Sequence, residues 1–135
     1  MLLLDRVITW DAEHATVAAT PRRDAWYAEE GEMPSWVGIE LMAQAIAAHV
    51  GLDARSKGRP PKRGVLLGTR HFRSSKTRFP AGAALVVTAR VVYRDESGLG
   101  SYDASIALDG AEIATANVTV YEPADFEAFL LRREA

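Results

Sequence analysis

Glu40 is a candidate for acid–base chemistry, because its carboxyl group interrupts a long apolar segment. Between Trp36 and Leu52 only Gln44 and His49 accompany it as polar side chains. Burying an unpaired carboxylate costs on the order of several kcal/mol, and desolvation raises the pKa of such a group, which suits a general acid. The alternative is a structural glutamate at an interface or beside an arginine. Gln44 lies one turn further on, where it could orient the carboxylate or bond to sheet backbone.

A helix that carries Glu40 is predicted from Ser35 to about Asp53. Ser35 is a favoured N-cap residue and follows Pro34. Since apolar residues cover nearly every face of residues 36–52, we expect this helix to be buried. A single buried helix in a chain of strands predicts that a sheet packs around it.

Strand-forming segments occupy most of the remaining chain. Their β-branched and aromatic residues predict strands over residues 2–10, 13–20, 63–79, 84–94, 99–108 and 111–121. Asp109-Gly110 is typical of a hairpin turn, and a short helical tail is expected at about residues 123–133. This order predicts an α+β fold, with an antiparallel sheet around one helix, in a single domain of residues 1–135.

Composition limits the classes of function. The 135 residues are 48% apolar and 25% charged, as in ordinary soluble globular domains. The chain has no cysteine, which excludes thiolate metal sites, and its three scattered histidines disfavour a zinc site, so no metal is expected. No apolar run approaches the roughly 20 residues that span a bilayer. We therefore expect a cytoplasmic protein without a membrane partner.

The charges are unevenly distributed along the chain. Nine Lys or Arg and no acidic residue lie between Arg55 and Arg78. This basic segment fits either a solvated surface or a landing area for an anionic partner such as a carrier protein or a phosphate. Because no aromatic residues are interleaved with these charges in the way that nucleic-acid binding would require, we expect no nucleic-acid partner.

Two segments resemble the bacterial 3-hydroxyacyl-acyl carrier protein dehydratases of the FabZ and FabA types. Residues 1–7, Met-Leu-Leu-Leu-Asp-Arg-Val, are similar to the opening strand of that family. Residues 33–44, Met-Pro-Ser-Trp-Val-Gly-Ile-Glu-Leu-Met-Ala-Gln, are similar to its helix motif, and the spacing of seven residues from Met33 to Glu40 agrees with it.

Two further segments extend the resemblance to residues 1–121. Residues 67–73, Leu-Gly-Thr-Arg-His-Phe-Arg, resemble the strand that follows the helix, and residues 78–82, Arg-Phe-Pro-Ala-Gly, resemble the next turn. The sequences of these two segments are most similar to those of the dehydratase-like proteins of aryl-polyene biosynthesis.

The resemblance implies a hotdog fold, in which a curved antiparallel sheet wraps around one long central helix and two subunits pair into one continuous sheet. It implies dehydration of 3-hydroxyacyl thioesters in fatty-acid or polyene/polyketide-type biosynthesis. The substrate is then carried on the phosphopantetheine of acyl carrier protein or coenzyme A, with no further cofactor. The implied assembly is a homodimer, or a heterodimer with another hotdog dehydratase, with an acyl tunnel at the interface.

In that family a histidine and a helix carboxylate share removal of the C2 proton and protonation of the C3 hydroxyl. The carboxylate matches Glu40. Ser35 holds the place of a glycine whose N–H binds the thioester carbonyl, and a helix N-terminus can still polarise that carbonyl. The resemblance makes these residues candidates for substrate binding: Ser35, Trp36, Gln44, Trp26, Tyr27 and Gly68.

The histidine is the main departure from the family. It precedes the helix glutamate by 14 residues, and Trp26 occupies that place here. His71, in the strand that lines the tunnel of the family, is the candidate replacement, with a solvated strand residue as the alternative. Tyr27 is a further candidate proton donor. His49 lies nine residues after Glu40, on the other side of the helix, and is expected to be structural.

Three functions therefore remain open. A dehydratase would use Glu40 with an unconventional acid–base partner. A thioesterase would use Glu40 alone as base or nucleophile. A non-catalytic subunit would instead shape the tunnel of a competent dehydratase.

Overall fold

One long helix and eight strands make up the described part of the chain, which is residues 2–60, 64–123 and 131 of the computed structural model. In chain order they are β1 (Arg6–Trp10), β2 (His14–Ala19), β3 (Met33–Pro34), α1 (Val37–Ser56), β4 (Val65–Ser74), β5 (Arg78–Phe79), β6 (Leu85–Arg94), β7 (Leu99–Leu108) and β8 (Ala111–Tyr121). Most of the helical tail expected at residues 123–133 lies outside the described residues. Within them, no helix has both the length and the apolar composition to span a membrane.

Six of the strands form one antiparallel sheet in the order β1-β2-β6-β7-β8-β4. The alternation of β7 explains its placement, because Tyr102, Ala104 and Ile106 face the core while the residues between them are more exposed. The predicted hairpin at Asp109-Gly110 is confirmed, with φ angles of 52° and 78°. The strand order leaves β1 and β4 at the two edges of the sheet.

Helix α1 packs on the inner face of this sheet and contacts β2, β6, β7, β8 and β4. Its fully buried apolar residues are Val37, Leu41, Met42 and Ala45. They belong to one core with inward-facing sheet residues such as Val17, Val87 and Ile106. The predicted α+β arrangement, one helix against an antiparallel sheet, is confirmed.

The expectation that α1 is buried on every face is wrong for one protomer. Glu40 and Ala47 are exposed, and Ala43, Gln44 and Gly51 are partly exposed. These residues recur at spacings of three and four, so they form a single open face along the helix.

Two predicted boundaries are also wrong, for reasons of tertiary contact. Ser35 is not the N-cap, because α1 is capped at Trp36 without a side-chain cap bond. The strand predicted over residues 63–79 is interrupted: β5 pairs with β3, Met33 opposite Phe79, in a separate two-stranded sheet. Its strand β3 ends at Pro34, shortly before α1, so the pairing with β5 constrains where the helix begins.

Candidate active site

Glu40 lies in the first turn of α1, on the open face. Its Oε1 accepts a hydrogen bond of 3.1 Å from Nε2 of Gln44. Oε1 of Gln44 accepts one of 2.7 Å from the main-chain N–H of Leu3. Because the amide oxygen of Gln44 is held by Leu3, its NH₂ group is directed at the carboxylate. These are the contacts that an orienting role for Gln44 requires, although the role itself stays a prediction.

An aromatic cluster stands beside the start of α1. The rings of Trp26 and Trp36 are 6.4 Å apart between centroids, and those of Trp26 and Tyr27 are 5.6 Å apart in an edge-on arrangement. The two indoles are 61% and 54% exposed. Tyr27 is buried, and its hydroxyl accepts a hydrogen bond of 2.9 Å from the N–H of Arg22. The fold thus brings together three residues that were predicted separately as substrate contacts, Trp26, Tyr27 and Trp36.

The main-chain N–H of Ser35 is engaged by the protein itself. It donates to the carbonyl of Thr77 at 2.9 Å, and the carbonyl of Ser35 accepts from the N–H of Gly38. Ser35 therefore ties the start of α1 to the segment before β5. A thioester carbonyl at this place would have to displace the bond to Thr77, or be held by another donor.

The three histidines are engaged away from Glu40 within one protomer. His14 pairs with Asp11 at 2.8 Å. His49 is fully buried, and its Nε2 lies 3.0 and 3.1 Å from the carbonyls of Asp11 and Ala12, so it occupies the structural position expected for it.

His71 lies on the side of β4 that faces away from the helix. It lines an open hollow of about 470 Å³ on the outer face of the sheet. The neighbouring Phe72 points the other way, towards Gly38 in α1. A bulge between Arg70 and Arg73 and the φ of 56° at His71 accompany this arrangement. One protomer thus separates His71 from Glu40, and the catalytic assignments of both stay predictions.

Gly68, the last predicted substrate contact, lies in β4 opposite Thr119. A Cβ added to it would meet nothing within 4 Å. It borders open space at the edge strand of the sheet, and its role in substrate binding stays a prediction.

An apolar groove, which was not predicted from the sequence, begins one turn after Glu40. It has a volume of about 270 Å³ and runs between α1 and the β4–β8 edge of the sheet. Small residues of α1, Ala43, Ala47 and Gly51, form one wall. The opposite wall contains Val65 and Leu66 of β4 and Val120 of β8. Three small residues spaced four apart were the signal for this groove in the sequence.

A cluster of charges lies at the far end of the groove. Arg94 bonds to Asp53 through Nη1 and to Glu122 through Nη2, each at 3.3 Å, and Lys57 bonds to Asp53 at 3.1 Å. The carboxylates of Asp53 and Glu122 are only 5% and 10% exposed. Burial acts to raise the pKa of Asp53, but its hydrogen bond to Lys57 and the charges of Lys57 and Arg94 outweigh burial, so this pKa is lowered.

Tyr102 lies behind this cluster, with its ring edge-on to that of His49 at 5.9 Å. Burial, with Glu122 and Asp53 adding to it and Arg94 opposing it, raises the pKa of Tyr102 to about 12. The hydroxyl is therefore neutral at physiological pH. It has no hydrogen-bond partner within the described part of the chain.

The sequence matches the family model described as ApeP-like, ApeP dehydratase, over residues 1–131. The chain belongs to the ApeP-like dehydratase family. Among curated proteins, none matches it.

Solved structures support the same assignment. The dehydratase heterocomplex ApeI:P from Xenorhabdus doucetiae is similar over 96% of this chain and 88% of that one, with 29% identity and a TM-score of 0.88. The E. coli PaaI protein of the phenylacetic acid degradation operon has 17% identity and a TM-score of 0.67, over 86% and 77% of the two chains. A hypothetical thioesterase with coenzyme A from Streptococcus pneumoniae TIGR4 has 15% identity and a TM-score of 0.66, over 87% and 86%. The last two show the fold alone, and the ApeP-like chain has the hotdog fold that its sequence predicted.

Proposed function

We propose that this chain is one subunit of a hetero-oligomeric dehydratase for 3-hydroxyacyl thioesters, in which Glu40 is the general acid and a histidine of the partner subunit is the base. The base removes the C2 proton, the C2–C3 double bond forms, and Glu40 protonates the departing C3 hydroxyl, which leaves as water. The thioester is carried on phosphopantetheine of acyl carrier protein or coenzyme A, and the reaction needs no other cofactor.

The open face around Glu40 is the observation that carries this proposal. Closing an active site expels water and strengthens its electrostatic interactions. One protomer leaves Glu40 exposed, although Gln44, itself held by Leu3, donates to its carboxylate. A second subunit on this face would bury the carboxylate. A chain that is 29% identical to this one belongs to the dehydratase heterocomplex ApeI:P from Xenorhabdus doucetiae.

The edge strand β4 offers a place for that subunit. It is ten residues long, it has no neighbour on its outer side within the described residues, and Leu66 and Leu67 are 45% and 48% exposed. An exposed apolar edge strand pairs readily with another chain. Pairing there would also cover the adjacent groove and convert it into a closed acyl channel.

The basic segment between Arg55 and Arg78 suits an acidic carrier protein or the phosphates of coenzyme A. In the structure Lys57 and Arg78 are already paired with Asp53 and Glu30. The residues that would attract an acidic partner must therefore be other members of the segment, such as the exposed Arg70 and Arg73 of β4. We also propose that the protein is cytoplasmic, as expected from the sequence.

The test uses the chain alone, and the chain purified with a histidine-bearing hotdog dehydratase of the same cell. Each preparation receives 3-hydroxyacyl-acyl carrier protein, and mass spectrometry identifies the products. We expect enoyl thioester from the complex and none from the chain alone. Glu40→Gln in this chain should lower the rate of the complex by about 10²–10⁴-fold, while Glu13→Gln, an exposed glutamate between β1 and β2, should leave it unchanged.

Other outcomes would decide against the proposal. Full activity of the complex with Glu40→Gln would show that this chain only supports its partner. Free acid and thiol as the products would instead assign a thioesterase that uses the helix carboxylate. Enoyl thioester from the chain alone would remove the need for a partner histidine.

A further inference from the structure

The apolar groove beside Glu40 ends at Glu122, whose carboxylate is nearly buried. From Ala43 to Gly51 the wall formed by α1 spans eight residue steps, which is about 12 Å at the rise of an α-helix. Glu122 lines the groove at its far end, where its side chain would come within 3.4 Å of a Cβ on Gly64. Glu122 is joined there to Arg94.

Such an end is a poor environment for a methyl group. A hydrocarbon terminus placed against Glu122 would remove water from the carboxylate without replacing its hydrogen bonds, which is unfavourable. A terminus that can donate to the carboxylate would restore those bonds. A carboxylate oxygen can accept more than one hydrogen bond, so Glu122 can hold a ligand as well as Arg94.

The balance of charge selects among polar termini. Asp53 and Glu122 are matched by Lys57 and Arg94, so the cluster is neutral as a whole. A terminal carboxylate would be repelled by Glu122. A terminal ammonium would lose its hydration beside a carboxylate that Arg94 already neutralises. A neutral hydroxyl meets neither cost.

We infer that the groove binds an acyl chain with a hydroxyl group at its far end, and that Glu122, held by Arg94, determines this specificity. The inference rests on the proposed function, since it assigns the thioester end of the same chain to Glu40. The hydroxyl donates to the carboxylate of Glu122. The reacting carbons and the recognised hydroxyl are then about 16 Å apart, the length of α1 from Glu40 to Gly51.

The test measures binding and turnover in the same preparations. Saturated acyl-pantetheine thioesters and their ω-hydroxy counterparts, matched in length over a series, are titrated by calorimetry into the full chain with its co-purified partner. We expect the ω-hydroxy compound of the best-fitting length to bind at least about tenfold more tightly, because hydrogen bonds to charged groups discriminate by that much. Glu122→Leu should reverse the preference.

The preference is a ratio within one protein, so a loss of stability in a variant does not mimic the expected result. Glu122→Gln, which keeps the shape of the side chain, should reduce the ratio several-fold. Glu96→Gln, an exposed glutamate at the same end of the molecule, should leave it unchanged. Equal binding of the two thioesters at every length, or a preference that survives Glu122→Leu, would overturn the inference.

Failure of this inference is distinguishable from failure of the proposed function. Enoyl product without any preference for the hydroxyl would keep the dehydratase and reject the role of Glu122. A clear preference without enoyl product from 3-hydroxyacyl substrates would keep the groove and reject the dehydratase.

Discussion

Replacing Gly98 by alanine tests how firmly the β6–β7 turn holds Glu122 at the end of the groove. Gly98 has a φ of 99°, and an added Cβ would overlap the carbonyl oxygen of Glu122 and lie 2.9 Å from its carbonyl carbon. The N–H of Glu122 donates to the carbonyl of Gly98 at 2.8 Å, so the two segments cannot separate without losing this bond.

The expected loss combines two costs. A positive φ costs alanine about 1–2 kcal/mol, and forcing extra volume against fixed backbone adds about 1–3 kcal/mol. We therefore expect Gly98→Ala to lower the free energy of unfolding by roughly 2–5 kcal/mol. Because Glu122 must shift, the discrimination between hydroxy and methyl termini should fall as well.

Gly110→Ala is the matched control. Gly110 also has a positive φ, 78°, in a hairpin turn, but nothing lies within 4 Å of its added Cβ. Only the backbone cost applies, about 1–2 kcal/mol. Urea unfolding of the two variants measures the difference, provided that their m-values agree. Equal losses would refute the claim that the backbone of Glu122 is fixed against the turn.

Two further predictions concern buried polar groups. Tyr27→Phe leaves the N–H of Arg22 without its acceptor and should lower the free energy of unfolding by about 1 kcal/mol. Tyr102→Phe removes a hydroxyl without a described partner, so it should be neutral or stabilising. Equal losses of stability in thermal unfolding of the two variants would contradict this. The pKa of Asp53 is lower in the folded chain than its ordinary value of 3.8, so the folded chain binds fewer protons and stability falls as the pH drops below about 4. Asp53→Asn should weaken that fall in acid titrations followed by circular dichroism, while exposed Glu30→Gln should not; an unchanged acid transition in Asp53→Asn would exclude this contribution.

The elements that follow a local periodicity were predictable from the sequence. The alternation in β7 and the Asp109-Gly110 turn reflect contacts between neighbours in the chain. The pairing of β3 with β5 was not predictable, because it joins residues more than forty positions apart and is only two residues long. The prediction therefore placed the N-cap of α1 at Ser35, one residue before the observed N-cap, Trp36.

The open face of α1 was not predicted, because small apolar residues were treated as equivalent to large ones in judging burial. Ala43, Ala47 and Gly51 are apolar and made the helix look buried all round, yet they are too small to reach the sheet and instead border the groove. The charge cluster was hidden for a different reason. Asp53, Arg94 and Glu122 come from the helix and two different strand ends, so only the fold brings them together.

The departure from the family at Trp26 and the exposure of Glu40 point to the same requirement. An indole can donate a hydrogen bond but cannot accept the C2 proton, so Trp26 cannot take the role of the missing histidine. Glu40 has its contact with Gln44 but is exposed in one protomer, whereas closing an active site expels water and strengthens its electrostatic interactions. The proposed dehydratase needs both a base and a cover at the same face of α1, and a single subunit bound there would supply both. The chain therefore has the contacts that position this carboxyl group, and in the proposed function association is the step that makes the group reactive.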